Sequence, residues 1–233
     1  LIPANGSPQE FSSDLASLEQ CDLIYVAPDI ATDNFGNSDT SAINQLIEQI
    51  ATILNPTTTM VILSQVEPGF TRALNHPANF AHRYYQVETL VFGRAVERAT
   101  RPERYIIGCD DPNKPLCPHL ENVLSAFDCP ILPMRYESAE LAKISINFCL
   151  VASISVANTL AEICESIGAD WSEIMPALKL DRRIGQYSYL NPGLGIAGGN
   201  LERDLTTIER IGSAKKTDTV VVSAWKQNSL YRK

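Results

Sequence analysis

Between Ile144 and Ala161 the chain carries no charged residue, and the helical pattern around that run extends from 138 to 167, where Gly168 stands at the expected place of a helix-ending glycine. A run of this length lies near the lower limit for a membrane-spanning helix. However, Asn147, Asn158, Thr159 and three serines interrupt it and Lys143 opens it. That composition suits a helix at the centre of a soluble core better than one in lipid. At about 100° per residue, Lys143, Asn147, Leu150, Ile154 and Asn158 fall on one narrow face. Lys143 thus heads a stripe that is otherwise apolar or amide. Such a lysine is either partly desolvated, which lowers its pKa and suits proton transfer or oxyanion stabilisation, or it snorkels to water from a helix end. Spacing leaves both open.

What precedes this helix reads differently. "DLIYVA" (22–27) and "TTMVILSQ" (58–65) are short apolar runs expected as buried strands, with a helical pattern from Ser41 to Leu54 between them. Strand, helix and strand in this order predict a βαβ crossover and a parallel sheet. "VETLVFGRAVERA" (87–99) reads as helix, "RYIIG" (104–108) as a third strand and "PHLENVLSAF" as another helix. "CPILPM" reads as an edge strand carrying prolines. After the long helix, "DWSEIMPALKL" is a short helix, and a last one is expected to start near Asp204. The fold class is therefore α/β: a partial Rossmann-like parallel sheet over 1–133, then an all-α domain over 134–233.

Composition excludes several functions. The net charge is −8, from 19 Lys+Arg against 27 Asp+Glu, with no basic stripe, so no nucleic-acid partner is expected. The six cysteines (21, 109, 117, 129, 149, 164) form no C-x-x-C pair, and fit reduced thiols of a cytoplasmic protein. His76, His82 and His119 have no second ligand at metal spacing, so no metal is expected. "LIPANGSPQEF" has neither an initiator Met nor a signal pattern, which suggests a segment of something longer.

Two stretches after the helices invite chemistry. "PGLGIAGGNLERDL" (192–205) holds Gly193, Gly195, Gly198 and Gly199, which let backbone N–H groups approach a ligand; domain linkers are glycine-rich too. Behind it, Arg203 and Asp204 lie where a helix N-terminus would present donors to an anion. "DRRIG" (181–185) offers adjacent arginines, either forks for phosphate or carboxylate or exposed surface residues. Glu88 reads as a general base on a helix or as a solvated face residue.

In this order the segments resemble the UDP-glucose/GDP-mannose dehydrogenase family nearly from end to end. "CDLIYVAPDIATD" is similar to the family's strand with a V-x-T-P loop, "LSQVEPGFTR" to S-T-V-P-P-G-T, and "VETLVFGRAVERATRPERYIIG" to E-F-L-R-E-G-x-A followed by P-D-R-I-V-I-G. "AELAKISINFCLVASISVANTLAEICESIGAD" resembles the family's dimerisation helix with its K-x-x-x-N pair. "DRRIGQYSYLNPGLGIAGGNLERDL" resembles D-x-R-I-G followed by P-G-x-G-F-G-G-S-C-F-P-K-D-L. The resemblance implies two successive oxidations at C6 of a nucleotide sugar with NAD, the second through a cysteine thiohemiacetal and thioester. It places Lys143 and Asn147 at the reacting oxygens and Asp204 at the aspartate that orients the hydrolytic water. Arg183 and the loop Gly193–Gly199 fall against the sugar, Ile30, Gln65 and Arg203 near the cofactor, and the helix 138–167 in a homodimer.

The departures are specific. Counting from Gly195, Asn200 falls on the nucleophilic cysteine and Arg203 on the lysine. Gln65 stands for a threonine, Phe92 for the second glutamate of E-F-L-R-E, and "PDIA" for V-P-T-P, so only Glu88 remains of the glutamate pair. The family's G-x-G-x-x-G turn does not occur in these 233 residues. Three readings follow: a dehydrogenase limited to the first oxidation, a non-catalytic homologue that keeps fold, dimerisation and ligand binding, and a hydroxyacid dehydrogenase of the 6-phosphogluconate type. The P-G-x-G loop and D-R-R-I-G speak against the third.

Overall fold

The computed structural model describes residues 11–33, 35–74, 82–91, 93–193 and 199–231. It divides into two compact units, one of residues 1–31 and 39–143, the other of residues 32–38 and 144–233. Sequence reading set the boundary at 133/134; the contacts set it inside the long helix instead.

The first unit is built on a five-stranded sheet. Its strands in spatial order are β1 (Leu23–Val26), β4 (Thr59–Ile62), β5 (His82–Gln86), β6 (Tyr105–Cys109) and β7 (Ile131–Arg135), while the short β2 (Ala31–Thr32) and β3 (Ser38–Asp39) form a separate ribbon. β1, β4 and β5 run parallel, β6 runs antiparallel to β5, and β7 runs parallel to β6. The expected parallel sheet and proline-bearing edge strand are thus present, with β6 and β7 both reversed against the other three strands. α1 (Ser41–Ala51) makes the crossover from β1 to β4 and buries Ile43, Ile47 and Ile50, one face at helical spacing. α2 (Phe70–Ala73) follows β4. All four residues of β4 are buried, as expected of a central strand of a sheet covered on both faces.

One expected element is wrong. The helix over 87–99 shrinks to α3 (Ala95–Thr100), and the strand "HRYYQ" (82–86) stands just before it. Its aromatic residues favour a pleated, half-buried surface. Tyr84 joins Val61, Ile107 and Cys109 under α4 (Pro118–Leu124). Its hydroxyl accepts the Cys117 N–H at 2.9 Å, and burial pushes the phenol up to about 12.

α5 (Tyr136–Ile167) is one continuous helix, and Gly168, at φ 75°, ends it as expected. Its first turns press on the sheet: a Cβ on Gly108 would sit 3.0 Å from the Ala139 Cβ, 3.1 Å from the Tyr85 Cβ and 3.2 Å from the Tyr136 Cα.

The second unit is helical. α6 (Trp171–Leu180) is capped by Asp170, which accepts the Ser172 N–H at 2.7 Å. α7 (Gly199–Lys215) begins five residues before the expected Asp204, and α8 (Val220–Tyr231) was not read from sequence. Val151 of α5, Leu205 of α7 and Val222 of α8 form one core, where Phe148 meets Trp225 edge-on at 4.7 Å. Ala157, Cys164, Trp171 and Leu190 form another, and the Trp171 indole donates to the Leu190 carbonyl at 2.9 Å.

α5 is long and apolar enough to cross a membrane, and 28% of its most apolar stretch is buried. The expectation of a central core helix therefore holds for one face. The other exposes Val156, Leu160, Ile163 and Ile167.

Gly108→Val should destabilise the first unit by about 1–3 kcal/mol, the range for overpacking a tight core site. Urea unfolding would show a lower midpoint; an unchanged midpoint would contradict the close contact between α5 and β6.

Candidate functional site

Parallel sheets place ligands outside the carboxyl ends of their strands. Here those ends belong to β1, β4 and β5. The Ser64 hydroxyl donates to the Pro28 carbonyl at 2.6 Å, tying the loop after β4 to the loop after β1, where Ile30 is buried. Gln65 follows, half-buried. Gly69, at φ 98°, turns the chain into α2 and has nothing within 4 Å of where a Cβ would stand.

The first turns of α5 hold these loops. Glu140 is fully buried; one carboxylate oxygen accepts the Gly69 N–H at 2.5 Å and the other the Thr71 N–H at 2.8 Å. Burial pushes this carboxyl up, and the bonds from Thr71 and Gly69 pull it part of the way back. Sequence reading missed Glu140, since a lone carboxylate on the first turns of a helix looks like a solvated residue. One turn on, the Lys143 ammonium donates to the Glu88 carbonyl oxygen at 2.8 Å. Lys143 is half-buried, so it neither points fully to water nor lies fully desolvated. Glu88 corrects the expectation: it lies in the loop after β5 rather than on a helix, and its side chain accepts the Leu90 N–H.

The second unit holds the other expected residues. The Asn147 amide donates to Asp204 at 2.6 Å, and the Asp204 residue is only 4% exposed. Arg203, equally buried, reaches the other Asp204 oxygen at 3.9 Å and the Thr32 hydroxyl at 3.4 Å. A buried carboxylate is tolerated when an opposite charge and hydrogen bonds compensate its lost water, as they do here. Asn200 is exposed on the first turn of α7, one helical turn before Asp204. The start of the glycine loop is pinned where the Gly193 N–H donates to Asn158 at 2.8 Å, and Gly199 opens α7. Gly195, Gly198 and Phe92 lie outside the described residues.

Arg183 forms a bidentate pair with its own Asp181, at 3.0 and 2.6 Å, with 88% of its side chain exposed. The pair holds the Asp181 carboxyl below its usual range. In this unit a cavity of about 400 Å³ lies beside Gly193, lined by Lys179, Tyr187, Ser188, Tyr189 and Asn191. Sequence reading missed these residues, although "QYSYLN" interleaves aromatic and polar groups as ligand sites do. Among the described residues no cluster of His, Cys, Asp or Glu could hold a metal ion, and all six cysteines are free.

A partial Rossmann-like sheet, one long helix that carries a lysine and an asparagine one turn apart, and a helical unit place the chain among mixed α/β folds. Residues 137–229 match the sequence model of the UDP-glucose/GDP-mannose dehydrogenase family, central domain. It is 28% identical over 212 residues to the UDP-glucose 6-dehydrogenase TuaD of Bacillus subtilis, a match covering 88% of this chain and 45% of that protein. With the UDP-glucose 6-dehydrogenase of Rickettsia conorii it shares 25% over 219 residues, 89% of this chain and 48% of the relative. The chain spans about half the length of the curated relatives it matches. The fold agrees with that of a UDP-glucose dehydrogenase from Pyrobaculum islandicum at a TM-score of 0.84 and 24% identity, over 95% of this chain and 53% of that one. A GDP-mannose dehydrogenase from Pseudomonas aeruginosa gives 0.64 at 19% identity, over 95% and 54%.

Asn147→Ala should cost about 1.5–3 kcal/mol, because it removes a bond to a buried carboxylate. Thermal unfolding would register the loss; a stability equal to the parent's would contradict the pairing with Asp204.

Proposed function

We propose that the intact protein is an NAD-dependent dehydrogenase that oxidises the C6 CH–OH group of a nucleotide sugar, and that Asn200 limits it to the first oxidation, from alcohol to aldehyde. The observation that carries this reading is the Asn147–Asp204 hydrogen bond, made from the helix that also bears Lys143. An ammonium and an amide one turn apart are suited to hold an alcohol oxygen and the charge it develops. The Asp204 carboxylate is suited to order the water that takes the hydroxyl proton. The tied loops after β1 and β4, with the bare backbone face of Gly69, suit the reactive end of NAD, which supplies the hydride acceptor. Ile30 and Gln65 stand on those loops. Arg203, expected near the cofactor, stands beside Asp204.

The second oxidation requires a nucleophile to add to the aldehyde carbon, and an amide is none. The cavity beside Gly193 is suited to the nucleotide: Tyr187 and Tyr189 offer faces for a base, and Lys179 a charge for phosphate. Arg183 is exposed and would exchange Asp181 for a phosphate. The replacements at Gln65, Phe92 and Asn200 also favour a second reading, a homologue that binds the nucleotide sugar without turnover. In both, the exposed stripe of Val156, Leu160, Ile163 and Ile167 packs against a second copy, and the protein works in the cytoplasm without membrane or nucleic-acid partners.

With UDP-glucose or another accepted nucleotide sugar, the parent should form about one NADH per sugar and Asn200→Cys about two, because the thiol opens the thioester route. Acid formation by the parent, or no acid from the cysteine variant, would contradict the assignment of Asn200. An absence of NADH with every nucleotide sugar would favour the non-catalytic reading. Sedimentation should show a dimer that Val156→Lys with Ile163→Lys turns into monomer; a dimer that survives both would place the interface elsewhere.

A further inference from the structure

Glu140 is a buried ionisable group to which the reaction gives no role. Both its carboxylate oxygens are taken by backbone amides two residues apart in one turn, Gly69 at 2.5 Å and Thr71 at 2.8 Å, and among the described residues no cation pairs with it. A leucine would fill the same volume without the cost of taking a carboxylate out of water. What the carboxylate adds is direction: it accepts from two amides whose N–H groups must both point at it, and so sets the path of the chain from Val66 to Thr71. That stretch leaves the carboxyl end of β4, and its Gly69 backbone is bare on the side where a side chain would stand. Lys143, three residues along the same helix, grips the next strand-end loop through the Glu88 carbonyl. Two turns of α5 therefore clasp two consecutive loops of one sheet.

We propose that Glu140 is a positioning residue: it fixes the loop 66–71 and, through Gly69, the seat of the reactive end of the cofactor. The cofactor half of this proposal rests on the dehydrogenase reading above; the loop half does not.

The test uses the intact protein with Glu140→Gln and, as a second variant that keeps the charge but shortens the reach, Glu140→Asp. Glutamine keeps the volume but turns an N–H toward one of the two amides, which loses a charge-assisted bond. Hydrogen exchange at the Gly69 and Thr71 amides should quicken by about tenfold in either variant, while Ile107 in β6 keeps its rate. The KM for NAD should rise by more than kcat falls. An unchanged loop, or equal acceleration at the loop and at Ile107, overturns the positioning role. Faster loop exchange with an unchanged KM for NAD overturns the cofactor half alone. A parent with no NAD turnover overturns the dehydrogenase reading and the cofactor half with it, while the exchange rates still decide the loop.

Discussion

One uninterrupted helix carries the polar grips on which both units depend. Along α5, Glu140 holds the amides of Gly69 and Thr71, Lys143 holds the carbonyl of Glu88, Asn147 holds Asp204, and Asn158 holds the amide of Gly193. Their spacings of three, four and eleven residues keep all four near one stripe of the helix. Val151 and Ile154 lie between them on the same side and pack into the second unit's core. The partners of Glu140, Lys143 and Asn147 are buried or half-buried, so loss of one of these grips is felt as desolvation without compensation.

The electrostatics follow the same economy. Asp204 and Arg203 are both almost fully buried, neighbours in sequence, and completed by an amide from α5 and a hydroxyl at Thr32. A carboxylate fixed in this way stays oriented, which suits ordering a water more than roaming for a proton. Asn200, one turn away at the exposed start of α7, contributes neither charge nor nucleophile. Under the proposed function these groups stabilise and orient, and the amide of Asn200 cannot form the covalent bond.

Legibility in the sequence tracked how local each signal was. The apolar runs of β1 and β4, the α1 periodicity and the long helix with its terminal glycine were all visible because burial on a regular element repeats at its own period. "HRYYQ" was passed over because five residues with three polar ones carry little apolar signal, and its place in the sheet comes from pairing with β4 and β6. The helix expected over 87–99 failed because Glu88 and Leu90 follow a strand end, where tertiary pairing overrode helical spacing. Lys143, Asn147 and Asp204 could be singled out from spacing and family motifs. Glu140 could not, because nothing local distinguishes a carboxylate that caps a distant loop from one that faces water. The same holds for Lys179 and the two tyrosines beside Gly193, whose cavity exists only once α5 and α6 are packed.

The central claim of the proposed function is that Asn147 and Asp204, paired within the second unit, act as one functional set. A double-mutant cycle of Asn147→Ala and Asp204→Asn on kcat for the first oxidation measures it directly. The double variant should be little worse than the poorer single one, the non-additivity of groups that act together. Multiplying losses would mean that the two residues work independently, and would contradict the account.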